Sequence, residues 1–165
     1  MIRPGLFLCG MAALVASACA PAPAPAAMTD ADRADVEASA RVAWQEIVDA
    51  IGATDQEAVM ARVADGAIFA FHGMVWDRSG LASTLGDFYD PIASTTMENF
   101  APLQFDVLSS DAVVVTSQNT QTTTYDEGMV SPLTMVARTF VLVRGDGDEW
   151  QVLHGHISQH IVPTD

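Results

Sequence analysis

A chain of 165 residues can bury the core of one domain. It carries 21 acidic residues against seven cations, all of them arginine, for a formal net charge of −14. That balance disfavours nucleic acid and anionic membrane surfaces as partners. Only two cysteines occur, Cys9 and Cys19, both near the N-terminus, so the remainder has no disulfide and no thiolate chemistry.

Residues 1–19, MIRPGLFLCGMAALVASAC, begin with one cation, Arg3, followed by an apolar run from Leu6 to Ala16 and then small residues. This is the layout of a secretory signal peptide, too short to span a membrane. Its end, ASAC, resembles a bacterial lipobox, with Cys19 as the lipidated residue and Ala16 where a leucine is usual. Ordinary cleavage after Ala18, Ala26 or Ala27 is the alternative. Residues 20–28 form a Pro/Ala linker that cannot make a packed element. The address expected is export to the periplasm as an outer-membrane lipoprotein, with the membrane reached only through a lipid on Cys19.

The domain proper is expected over residues 29–165. Thr29 or Asp30 caps a first helix whose apolar positions, Val36, Ala40, Ala43, Trp44, Ile47, Val48 and Ile51, recur at three and four, with Gly52 ending it. A second, short helix capped by Thr54 runs to about Ala64. After the Asp65–Gly66 turn a short apolar strand covers Ala67 to His72. A third helix follows from about Trp76 and stops before Pro91. The texture then becomes β-branched: strands over Phe100–Leu108 and Ala112–Thr124, then two more joined by the turn GDGD. This order predicts an α+β fold with a curved antiparallel sheet packed on three N-terminal helices.

The segment ARTFVLVRGDGDEWQVLHGHIS, Ala137 to Ser158, carries a more specific pattern: Arg138 and Thr139 opening a strand, a Gly turn, Trp150, and His154-x-His156-x-Ser158. Together with the element order it resembles the SnoaL-like group of the nuclear transport factor 2-like (ketosteroid isomerase-like) superfamily. Within that superfamily it is most similar to the subgroup of the calcium/calmodulin-dependent protein kinase association domain. The resemblance implies a cone-shaped pocket between sheet and helices and a homodimer formed through the sheet. It does not imply one reaction.

Isomerase chemistry needs a carboxylate base and oxyanion donors. The first strand, AIFAFHG, holds no acid, and the place of the helix-one tyrosine falls near Ile47. Asp106 reads as a solvated strand residue. Strict strand alternation puts Trp150, Val152, His154, His156 and Ser158 on one face, but two histidines without a converging third ligand do not make a zinc site. No metal and no cofactor is therefore expected. His72 and His156 are the candidates for a general base. Arg138 is either a carboxylate anchor or the partner of a local acid such as Asp126. Trp44, Phe71, Trp76, Tyr89 and Met135, with Arg138, His72, His154, His156 and Ser158, form the expected pocket lining.

Three functions follow from this reading. The first is a dimeric domain that binds a small apolar or weakly acidic ligand without assured catalysis. The second is an enzyme of isomerase, dehydratase or cyclase type using a pocket histidine. The third is an assembly module with no ligand.

Overall fold

The computed structural model describes residues 27–162. The signal-like segment, Cys19 and all but the last residues of the Pro/Ala linker lie outside the described residues. Three helices and seven strands follow in the order α1 (Asp30–Gly52), α2 (Gln56–Ala61), β1 (Val63–Phe71), β2 (Met74–Asp77), α3 (Arg78–Tyr89), β3 (Ile92–Asn99), β4 (Gln104–Ser109), β5 (Ala112–Tyr125), β6 (Thr134–Arg144) and β7 (Trp150–Ile161).

α1 starts where its capping chemistry dictates. The Thr29 hydroxyl accepts from the Asp32 amide, and the Asp32 carboxylate accepts from the Thr29 amide. A hydrogen bond donated by the Thr29 hydroxyl at 2.6 Å, and after it the one from the Thr29 amide, hold the Asp32 carboxyl below the usual carboxylate range. Its buried face, Val36, Ala40, Ala43, Trp44, Ile47 and Ala50, follows the stripe read from the sequence, of which Val48 and Ile51 are only partly buried. α2 is capped by Asp55, whose side chain accepts from the Ala58 amide. Thr54 instead sits at φ +54, a left-handed link between the two helices that the expected cap position did not foresee.

The strands form one sheet in the order β2-β1-β7-β6-β5-β3, with β4 also on β5. All pairs are antiparallel except β1 with β7. β5 is long enough to take β4 along its first half and β3 along its second, on the same edge. Two strands exceed the sequence expectation. β2 returns from β1 through His72 and Gly73, both at positive φ, a conformation glycine adopts freely and histidine only at a cost. β3, with its hydroxyl-rich sequence IASTTMEN, alternates too weakly to announce itself. The expected strand Phe100–Leu108 is divided accordingly, its first residues lying between β3 and β4.

The core lies between α1 and the inner sheet face. Phe140 on β6 meets Trp44 edge-on, with ring centres 5.4 Å apart, and Phe69 on β1, 6.0 Å apart. Phe69 can lie there because Gly155 faces it. A Cβ on Gly155 would come within 2.5 Å of the Phe69 ring and 3.0 Å of Phe140. Trp150 is buried at the other end of β7, its indole N–H donating to the Ser39 hydroxyl at 3.0 Å while Arg144 stacks over its ring.

β7 departs from strict alternation. Val141 of β6 is opposite His154, yet Leu142 is opposite Val152, so Leu153 is an extra residue without a partner. The pairing with β1 shifts in the same region. Trp150 and Val152 face inward before this bulge, and Gly155 and Ile157 after it.

Candidate functional site

A cavity of about 170 Å³ lies between α1–α3 and the inner face of the sheet. Its floor comes from β6 and β7 through Val136, Phe140, Val152 and Ile157, and its roof from Ile47 and Ile51 of α1 with Leu81, Leu85 and Tyr89 of α3. Phe71, Trp76 and the exposed Phe88 and Gln159 stand at the opening. The surface is aliphatic and aromatic, the usual material of a small-molecule site. The polar side chains on it are Thr84, Tyr89, Thr95, Gln121, Arg138 and Gln159. Among the described residues no carboxylate and no imidazole lines it.

Among the described residues Arg138 is its one ionic group. The side chain is buried, with 7% of the residue exposed, and points inward from β6 between Val136 and Phe140. Its guanidinium donates to Oδ1 of Asn119 and, at 2.7 Å, to Oε1 of Gln121. Among the described residues no carboxylate lies within ion-pair distance of it, so the expected pairing with Asp126 does not form. Asp126 sits exposed in the turn after β5. Burial lowers the Arg138 pKa to about 10, which leaves it charged at neutral pH. Tyr89 is buried on α3, and desolvation lifts its phenol to about 12, against the pull of the Arg138 charge. The cavity thus offers a cation and a neutral phenol as donors inside an apolar shell.

The sequence-derived lining divides in two. Phe71, Trp76, Tyr89 and Arg138 line the cavity. Trp44 is packed in the core and borders a second, smaller cavity. His154, His156 and Ser158 lie exposed on the outer sheet face, opposite Val141, Thr139 and Ala137 of β6. The bulge at Leu153 is the reason: one unpaired residue reverses which face every later side chain meets. His156 therefore has no access to the cavity. Met135 is on that outer face too, 41% exposed. His72 lies exposed in the β1–β2 turn, its ring against Phe71, and its Nε2 is 2.7 Å from Nε2 of Gln159. It does not line the cavity itself and meets it through Phe71 and that glutamine. Among the described residues no three histidine, aspartate or glutamate side chains converge as for a metal ion.

Several lining residues escaped the sequence reading. Gln121, Thr95 and Gln159 sit on long strands among other polar residues, and only inward alternation on β5 marks Gln121. Gln159 is inward solely because of the bulge.

An α+β cone whose helices close an apolar cavity over a curved sheet defines the class of protein. Residues 27–163 match the family model of the SnoaL-like domain, and the chain belongs to that family. Its solved structural neighbours share the nuclear transport factor 2-like architecture. A putative scytalone dehydratase from Novosphingobium aromaticivorans superposes with a TM-score of 0.69 at 11% identity, over 83% of this chain and 94% of that one. A hexachlorocyclohexane dehydrochlorinase, LinA-type3, from Novosphingobium barchaimii gives 0.67 at 15% identity, over 82% and 94%. A ketosteroid isomerase-like protein from Erwinia carotovora gives 0.63 at 21% identity, over 76% and 96%. At these identities the likeness is one of fold. No curated protein sequence matches the chain.

Proposed function

We propose that the domain binds one small, largely apolar molecule bearing an acidic or strongly electronegative group, with that group on Arg138 and Tyr89 and its body in the cavity. The observation that carries this reading is the buried guanidinium without a carboxylate on the wall of an apolar cavity. Such a charge is costly unless a partner offsets it, and the geometry of guanidinium suits a carboxylate. The absence of any carboxylate or imidazole from the lining favours binding over proton abstraction. The cavity itself speaks against an assembly module with a closed core.

Thermal melting of the purified protein with a panel of small aromatic and aliphatic acids and their amides tests the reading. The acids are expected to stabilise saturably and the neutral amides less. Stabilisation by no compound of either kind would overturn it.

A second reading, an isomerase, dehydratase or cyclase, draws on the Gln159–His72 contact, which places an imidazole one hydrogen bond from the opening. It requires His72→Ala to abolish turnover of a substrate that the cavity binds. Full activity in that variant rejects His72 as the base.

The setting proposed for the domain is an exported protein held by a lipid on Cys19. Mass spectrometry of the mature N-terminus decides between an acylated Cys19 and an unmodified Cys19, Ala27 or Met28. Its proposed assembly is a homodimer through the outer sheet face.

A further inference from the structure

A second cavity of about 40 Å³ shares Arg138 and Ile51 with the large one. Trp44, Val48, Ile51, Met97 and Leu103 make it largely apolar, and its polar groups gather at the sheet: Ser117, Asn119 and Arg138, with Gln45 and Asn99 beyond. Ser117 and Arg138 are directly opposite on β5 and β6. Ser117 is 2% exposed, and its Oγ is the one buried side-chain polar atom without a hydrogen-bond partner among the described residues. A buried hydroxyl left in that state has given up its hydrogen bonds to water without replacement, so such atoms are rare unless something occupies the space beside them.

Arg138 has the matching deficit. A guanidinium has five N–H groups. Two are used, on Asn119 and Gln121, which leaves the rest unassigned. Among the described residues no carboxylate lines this chamber, just as none lines the larger one. An unpartnered hydroxyl and an uncompensated cation, both at least nine-tenths buried, therefore face the same small space.

We propose that this chamber is a binding site for a small inorganic monoanion of the halide class, held between the Arg138 guanidinium and the Ser117 hydroxyl. One negative charge matches the one positive charge. The guanidinium and the hydroxyl can both donate to an anion, and a volume of this size admits a single small ion. The inference is separate from the ligand of the larger cavity and stands or falls without it. The two sites share Arg138, so an acid entering the large cavity and a halide in the chamber compete for one charge.

The test uses the purified protein at constant ionic strength, with sodium gluconate, whose anion is too large for the chamber, exchanged stepwise for sodium chloride. The expected result is a saturable rise in melting temperature. Ser117→Ala is expected to weaken the apparent chloride affinity about tenfold, the worth of one hydrogen bond to a charged group. Crystals grown in sodium bromide are expected to show an anomalous peak within hydrogen-bonding distance of Ser117 Oγ and Arg138. Equal melting temperatures in both salts, an unchanged chloride response in Ser117→Ala, or water in place of bromide in the chamber would each overturn the proposal. If Ser117→Ala does not fold, the bromide crystal decides alone.

Discussion

Two amide oxygens offset only part of the charge on Arg138, and neither is a counter-ion. Its stability role and its binding role therefore separate. Arg138→Met removes a buried charge but orphans Asn119 and Gln121. It is expected to leave unfolding free energy within about 2 kcal/mol of the parent. The same change is expected to weaken acid binding at least about tenfold. Denaturation and calorimetry on one preparation check both. Tyr89 adds a pH signature. Its folded pKa, about 12, lies above the ordinary 10, so the native state keeps a proton that the unfolded chain loses, and stability falls as pH rises through that window. Arg138 has the opposite sign: its pKa of about 10 lies below 12.5, so the unfolded chain holds the extra proton and stability rises with pH there. Tyr89→Phe removes the falling contribution. Between pH 9 and pH 11 it is expected to lose less stability than the parent, measured by urea midpoints. At Gly155 the constraint is steric. Gly155→Ala drives a methyl into Phe69 and Phe140 and is expected to cost about 1–3 kcal/mol by overpacking, with the near-ultraviolet signal of the aromatic cluster changed.

Strand β7 shows how an element decides the fate of its residues. Without the bulge at Leu153, alternation from Trp150 would send His154, His156 and Ser158 inward, as the sequence alone predicts. With it, Gly155, Ile157 and Gln159 take the inner face. Because Leu153 is the surplus residue, its deletion leaves Gly155 against Phe69 and keeps the downstream pairing. Deletion of Gly155 instead presses His156 toward Phe69. The first deletion is expected to fold and the second to fail, as circular dichroism and solubility will show. The helices were more legible. The α1 stripe is a local 3.6-residue pattern, and nothing distant alters it. Strand β3 was illegible for the converse reason: a run of serines and threonines has no apolar face to read, and its place is set by pairing with β5.

At the scale of the molecule, the outer sheet face exposes Met135, Ala137, Thr139, His154, His156 and Ser158 in neighbouring register positions. If two copies meet there, Thr139→Asp places a carboxylate in the middle of the contact, opposite His156. The variant is expected to elute as a monomer while melting as a folded protein, and light scattering distinguishes this from a parent that was monomeric throughout. The histidines then belong to association, away from the chemistry of the cavity.

The sequence by itself determined the α+β class, the order of the elements apart from β2 and β3, and most of the α1 core stripe; it placed the first strand at Ala67–His72, without an acid, whereas β1 begins at Val63 and carries the exposed Asp65. Class, order and stripe are properties of short windows, where capping, periodicity and side-chain type act between near neighbours. Only the tertiary structure decided which face the histidines meet, what Arg138 bonds to, and that two chambers share its charge. Those depend on one unpaired residue in β7 and on strands that meet from distant parts of the chain. Register, unlike periodicity, is a relation between segments and is written in neither of them alone.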